Sequence, residues 1–393
     1  MKKRISIFQY PRKVRVLTCI ILLFICRKTI FDVSKEVGEY AASLDSSTTL
    51  ALAGIVIGFL FIFTHLKAAK VARIGMWPIL AYSLFAWASF MWAGNGTTIT
   101  FKSLEHIVNI YLVGMIAYYI KDSRKMLYYI IVLATLSTYL CVFDFWMDRG
   151  LGWYHTNSYT FSSMIGLILA VGCVKNEIFT FREMRWFIFL DFIAWLLGTS
   201  SASYIAALIG FLVLFASGRK GLSVIRILLI SIGLYLLFLT EEDAIYKFLI
   251  AGHTQGELET GTGRMLLWEA AFERWKTAPL LGHGFIIGET TLGDYGQISA
   301  HNSWISALVN TGVVGLFFFT WFVLKWILKA FKESKMNVYA SVTFPAIIAI
   351  LLNLSSCPVL ASHWSYVSDS VYAVIAATFM VFVKKTESQL LSK

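Results

Sequence analysis

The chain has 393 residues, 58% of them hydrophobic and only 15% charged, with a mean hydropathy of +0.70. A soluble domain averages about 25% charged residues, so this composition excludes an ordinary soluble globular protein. The formal net charge of +11 does not point to nucleic acid, because the Lys and Arg residues cluster in short segments between apolar runs, as membrane orientation demands.

A bilayer core takes about 20 apolar residues per helix. That length predicts an all-α, polytopic membrane protein of about twelve transmembrane helices. The segments are 14–31, 48–65, 75–93, 104–120, 126–146, 158–175, 184–199, 202–217, 222–240, 312–330, 339–356 and 366–383. Met1-Lys2-Lys3-Arg4 ahead of the apolar run from Val16 to Cys26 resembles a signal peptide. The run ends in Arg27-Lys28 with no small-residue cleavage site, so it reads as an uncleaved first span. The five cysteines avoid the long polar loop and show no metal-ligand spacing, which predicts free thiols and no metal site.

Alternate loops carry the basic residues. Lys67, Lys70 and Arg73 fall in one, Lys121, Arg124 and Lys125 in another, and Lys175, Arg182 and Arg185 in a third. With the other segments on that side, about 25 of the 34 basic residues lie together. The positive-inside rule makes that side cytoplasmic, with both termini inside. The chain then divides into nine helices over 1–240, one long extracytoplasmic loop over 241–301 with short amphipathic helices, and three helices over 302–393. The loop holds nine acidic against four basic residues, so each of its arginines is a selective anion ligand. Six of the seven histidines also fall near the outer face.

Four constellations carry chemistry. Arg264 opens a helix expected to run to about Thr277 and to stop before Pro279. Met265, Trp268, Phe272 and Trp275 share one face, which predicts a helix lying on the membrane with that face down. Arginine in a first helical turn opposes the macrodipole unless an anion binds there, and arginine plus free helix N–H groups make a phosphate site. The alternative is a loop arginine paired with a carboxylate such as Glu259. Downstream, Ala300-His301-Asn302-Ser303 begins a short amphipathic helix broken near Gly312, with Asn302 or Ser303 as N-cap. A histidine beside a helix N-terminus has its cationic form disfavoured and is available as a base. It can equally serve only as an interfacial hydrogen-bonding group.

The third constellation, Gly152-Trp153-Tyr154-His155-Thr156-Asn157, offers an aromatic wall with polar donors that suits a sugar, or an interfacial aromatic belt. The fourth runs from Ser89 to Asn95 and on to Lys102, Glu105 and His106. Lys102 is the one basic residue of that outer loop. Asp191 and Asp369 lie within expected spans, where a carboxylate is either functional or a helix–helix hydrogen-bonding group.

Taken in order, Gly261-Thr262-Gly263-Arg264 to Trp268, Pro279-x-x-Gly282-x-Gly284-Phe285, Ala300-His301-Asn302 and Gly312-x-x-Gly315 resemble the O-antigen ligase and O-antigen polymerase family. Ser89-x-x-Trp92-x-x-Asn95 and His155-Thr156-Asn157 are similar to two of its earlier motifs. The resemblance covers about residues 80–320. It implies a metal-independent membrane glycosyltransferase of the C type, without cofactor, using a glycan on undecaprenyl diphosphate at the outer face of the bacterial inner membrane. The acceptor is a second lipid-linked repeat unit for a polymerase, or lipid A-core for a ligase. A chain-length regulator protein is a further expected partner.

On that resemblance Arg264 stabilises the departing diphosphate and His301 is the base. Lys102, Trp268, Arg274, His155, Asn157 and Asn302 are the expected substrate-binding residues. Gly282 and Gly284 read as a hinge. One departure stands out: where the family carries a basic residue at the start of span eight, this chain has Gly198-Thr199-Ser200-Ser201-Ala202-Ser203. Lys102, Arg149 or Arg274 would then replace it, or the diphosphate is held differently. The segment around His155 and this missing cation favour a polymerase. A lipid-linked glycan transporter is the rival from another class, but the chain shows no half-to-half similarity.

Overall fold

The computed structural model describes residues 10–31, 46–146, 156–198, 200–218, 221–222, 264–290, 300–357, 359–362, 371–372 and 374–378. These are almost wholly helical. The long helices are α1 (Arg12–Phe31), α2 (Ser46–Thr64), α3 (Leu66–Ala88), α4 (Gly96–Ile120), α5 (Ser123–Trp146), α6 (Thr156–Lys175), α7 (Phe181–Leu197) and α8 (Ser201–Ala216). Then come α9 (Arg264–Thr277), the short α10 (Ile287–Thr290), α11 (Ser303–Ser334) and α12 (Val338–Asn353). Among the described residues the one strand pairing is a two-residue ladder, β1 (Ser217–Gly218) with β2 (Gly221–Leu222).

Among the described residues four helices are long and apolar enough to cross a membrane: Leu66–Met91, Gly96–Ile120, Ser123–Phe143 and Ser303–Ser334. Four shorter apolar helices, Thr48–Thr64, Tyr159–Lys175, Ser201–Ala216 and Val338–Asn353, coincide with further expected spans. The expected spans at 222–240 and 366–383 fall largely outside the described residues. Large apolar side chains such as Phe63, Trp186, Phe317 and Leu328 are exposed on the helix surfaces. In water such a surface marks an interaction face; on these helices it is the face expected against lipid.

Basic segments expected in loops fall instead at helix starts, as Arg124 and Lys125 do in α5 and Arg182 in α7. Lys67, Lys70 and Arg73 are not in a loop but in the opening turns of α3. Ala68, Ala69, Val71 and Ala72 are all buried there while the three cations stay exposed. Alanine-rich sequence favours helix, and long basic side chains reach polar surroundings from a helix end. Local signals set other starts. Thr180 and Glu183 form a reciprocal capping box at α7, and Asn337 caps α12 by accepting from the Tyr339 amide at 2.8 Å.

The main core runs through α3 with α4, α6 between α5 and α7, and α12 against α8 and α11. Asp191 of α7 is fully buried and accepts from Thr135 Oγ1 of α5 at 2.9 Å, so of the two sequence readings the helix–helix hydrogen bond is realised. Its other oxygen has no partner among the described residues.

Candidate active site

The centre of the site is a break in α11. Gly312 has φ 63 and ψ −168 inside an otherwise continuous helix. In an intact helix the Val313 and Val314 amides would bond to the Val309 and Asn310 carbonyls. Instead the segment after α9 inserts between them. His283 N–H donates to Val309 O (3.0 Å) and Gly284 N–H to Asn310 O (2.8 Å), while Val313 N–H and Val314 N–H donate to Pro279 O (3.0 Å) and Leu280 O (3.3 Å). These four groups freed by the break are thereby satisfied, as a buried backbone requires. The expected break near Gly312 is present. Gly282 and Gly284, the expected hinge, are docked here with positive φ of 69 and 105.

The earlier motif closes on the same loop. Ser89 Oγ accepts from Phe285 N–H at 2.9 Å, and Trp92 Nε1 donates to Gly282 O at 3.3 Å. Phe285 and Ile286 pack with Ala86 and Ile99 in a small buried cluster. Asn95, itself left-handed at φ 59, caps α4 through the Thr98 amide. Thus the segments at 89–95, 279–285 and 309–314 form one assembly.

His301 leads into α11 from a left-handed backbone at φ 48, a region where His is enriched but still uncommon. Its neighbours hold it. Ala300 is fully buried; its carbonyl accepts from Trp268 Nε1 at 3.0 Å and its N–H donates to Glu289 Oε2 at 3.4 Å. On the other side Asn302 Oδ1 caps α11, accepting from the Trp304 and Ile305 amides at 2.9 and 3.2 Å. Ser303 N–H donates to Leu354 O at 2.8 Å and its hydroxyl to Cys357 O at 2.6 Å. Asn302, an expected substrate-binding residue and one of the two expected N-caps, thus gives its side-chain oxygen to the helix end.

Arg264 is the first residue of α9, one turn before Trp268. Among the described residues no carboxylate pairs with it. Partial burial pulls the guanidinium below its usual pKa, and the nearby Cys357 thiol acts in the opposite sense. Burial in turn pushes that thiol up to about 12, against the pull of Arg264. Arg264 and Ser303 thus both neighbour the turn at Cys357. The same turn reaches the start of α8: Asn353 Nδ2 donates to Ser203 Oγ at 2.7 Å and Ser356 Oγ donates to Asn353 Oδ1 at 2.7 Å. Serines stand at that helix start where a cation was sought.

The face of α9 needs correction. Trp268, Ala271 and Trp275 pack with Ala300, Ile305 and Val309, so this side covers α11 and not the membrane. Met265 and Phe272 stay exposed on the flank. The sequence shows one apolar stripe; the structure splits it between protein and surroundings. Trp268→Phe keeps an aromatic ring, though a smaller one, and removes the donor to a buried carbonyl, which costs about 1–3 kcal/mol. Thermal unfolding of the purified variant is expected to show that loss together with reduced turnover.

The remaining expected residues do not all converge. Arg274 lies ten residues beyond Arg264 on α9, about 15 Å along the axis; burial lowers its pKa. The carbonyl of Arg274 is met by His283 Nε2 at 2.8 Å, so His283 completes the end of this helix. Lys102 sits on α4, 3.7 Å from the buried Glu105 carboxylate. The next residue, His106, contacts the Phe285 ring and bridges Ser83 Oγ (3.0 Å) and Tyr372 OH. His155 and the side chain of Asn157 lie outside the described residues. Among the described residues no group of three His, Cys, Asp or Glu side chains is arranged to hold a metal ion.

Residues 186–320 match the O-antigen ligase family model. The matched stretch of this O-antigen ligase family runs from α7 into α11 and takes in Arg264, Trp268, the 279–285 loop, His301 and the Gly312 break. Ser89 to Asn95 and Lys102 lie before it, and Ser89 and Trp92 reach it through their hydrogen bonds to Phe285 and Gly282. No curated protein matches the chain.

Glu289 was not visible from sequence. It is fully buried, with Ser306 Oγ (2.6 Å), Asn310 Nδ2 (3.2 Å), Ser362 Oγ and the Ala300 amide all directed at its carboxylate. Burial raises its pKa and these hydrogen bonds pull against that rise. Nothing in its local sequence separates it from the other acidic residues of the loop.

Proposed function

We propose that the chain is an inverting, metal-independent glycosyltransferase that moves a glycan from undecaprenyl diphosphate to the sugar hydroxyl of another lipid-linked repeat unit, an O-antigen or polysaccharide polymerase at the outer face of the inner membrane. The observation that carries this reading is Arg264, partly buried, without a carboxylate among the described residues, and joined through Trp268 to Ala300-His301. A desolvated guanidinium at a helix start favours an anion. A diphosphate leaving group needs fixed positive charge as the glycosidic bond breaks, not a proton. The acceptor hydroxyl loses a proton, and His301 is the base for it. Attack opposite the diphosphate inverts the anomeric carbon. Ligase action on lipid A-core is the second reading, favoured by the description of the matched family model.

The test uses the full chain in lipid nanodiscs with synthetic undecaprenyl-diphosphate oligosaccharide and no nucleotide sugar. Release of undecaprenyl diphosphate with chain growth supports the polymerase; growth only after adding lipid A-core supports the ligase. Lipid movement across vesicles without turnover would overturn both in favour of a transporter. Arg264→Ala is expected to lower turnover by about 10²–10³-fold, with the protein still in the membrane.

A further inference from the structure

We propose that Glu289 is a positioning residue for His301, holding the backbone from which the imidazole projects by clamping the preceding amide. This rests on the reading of His301 as the base. The backbone of Ala300 is gripped at both of its peptide units, by Trp268 at its carbonyl and by Glu289 at its N–H. The Trp268 grip ties it to the helix of Arg264; the Glu289 grip ties it to α10 and to the first half of α11. Glu289 reaches both through a matched pair with Asn310: its own N–H donates to Asn310 Oδ1 at 3.1 Å, and Asn310 Nδ2 donates to Glu289 Oε1 at 3.2 Å. The second oxygen takes Ser306 and Ala300. Ser362 adds a hydroxyl from the segment after α12. One carboxylate thus joins four stretches of chain beside His301.

The pattern has a fixed polarity. The Ala300 amide and Asn310 Nδ2 only donate, so each must meet an oxygen, whereas the serine hydroxyls can turn. Glu289 offers an oxygen on both sides. Glutamine does not: with its oxygen toward Ala300, its amide nitrogen faces Asn310 Nδ2. Asn310 cannot turn over to relieve this, because its Oδ1 already accepts from the Glu289 N–H. Glu289→Gln therefore leaves two donors opposed, and Asn310→Asp opposes two oxygens. The double variant E289Q/N310D restores every pairing with the donor and acceptor exchanged between the two residues.

The assay uses the full chain in nanodiscs with undecaprenyl-diphosphate oligosaccharide as donor, and with lipid-linked repeat unit and lipid A-core as acceptors. E289Q is expected to lower kcat on the order of 10²-fold, the scale of a small misplacement of a reacting group, with KM for the donor unchanged. E289Q/N310D is expected to recover most of that kcat. Amide hydrogen exchange over residues 300–302 should rise in E289Q and return in the double variant. A purely structural role would instead lower the yield of folded protein and leave kcat per folded molecule intact. Should E289Q not fold, the double variant, which keeps all the pairings, is compared with N310D by the same readouts. Wild-type kcat in E289Q, or a double variant no better than the worse single one, overturns the proposal. His301→Ala separates the two ideas: if it is inactive while E289Q is fully active, only the Glu289 assignment falls, and if His301→Ala turns over normally, the base falls first.

Discussion

His301→Ala is expected to lower turnover of the lipid-linked donor by about 10²–10⁴-fold, the usual contribution of a positioned general base, while the protein stays in the membrane at its normal level. Chemistry and architecture are separable at this residue. The turn is held by Ala300, by the Asn302 cap and by Ser303 on Leu354 and Cys357, and those bonds persist when the imidazole is removed. The backbone at φ 48 is strained by an alanine there, so His301→Asn is the better control: asparagine accepts left-handed backbone more readily than alanine. Loss of activity in both variants with unchanged thermal unfolding assigns the effect to the missing base. A base also imposes an acid limb on the pH profile of kcat/KM, and the residual activity of the variants should lack it. Residual turnover that keeps the wild-type profile would remove His301 from the reaction.

What the sequence made legible is what local chemistry announces. Gly312 stood out because a glycine in an apolar helical run marks a break, and the break is there. Arg264 stood out because a cation in a first turn needs a reason, and Asn302 because it precedes a helix. What remained hidden depends on which distant surfaces meet. The apolar stripe of α9 is equally suited to lipid or protein, and only the position of α11 shows that Trp268 and Trp275 face protein. Glu289 was one of nine acidic residues in the loop; its part arises from Ser306, Asn310 and Ser362, which are 17, 21 and 73 residues away. Along the chain the paired glycine motifs stand apart as a hinge and a break, because nothing in the sequence says that one loop completes the other's hydrogen bonds.

That completion leads to the second large effect. Gly282→Ala is expected to prevent folding of the 279–314 assembly, whereas Gly284→Ala damages it in a repairable way. A Cβ on Gly282 would lie 2.5 Å from the backbone nitrogens of Gly312 and Thr311 and 2.6 Å from the Asn310 carbonyl carbon. Those atoms belong to the helix break itself and cannot move without opening the four loop-to-helix hydrogen bonds. The left-handed backbone adds about 1–2 kcal/mol for an L side chain, and each hydrogen bond lost adds about 0.5–1.5 kcal/mol. Together these reach about 3–8 kcal/mol, comparable to a typical domain's whole stability of about 5–15 kcal/mol. At Gly284 the added carbon meets side chains: Ala93 Cβ at 2.3 Å and Ile99 Cδ1 at 3.0 Å. Ile99 can change rotamer, and Ala93→Gly removes the closer contact. Thermal unfolding in detergent should therefore show G284A/A93G more stable than G284A, with only the backbone penalty remaining, while no side-chain substitution restores G282A. Equal tolerance of the two alanines would mean that the loop does not dock into the α11 break, and the seat of His301 would have to be redrawn.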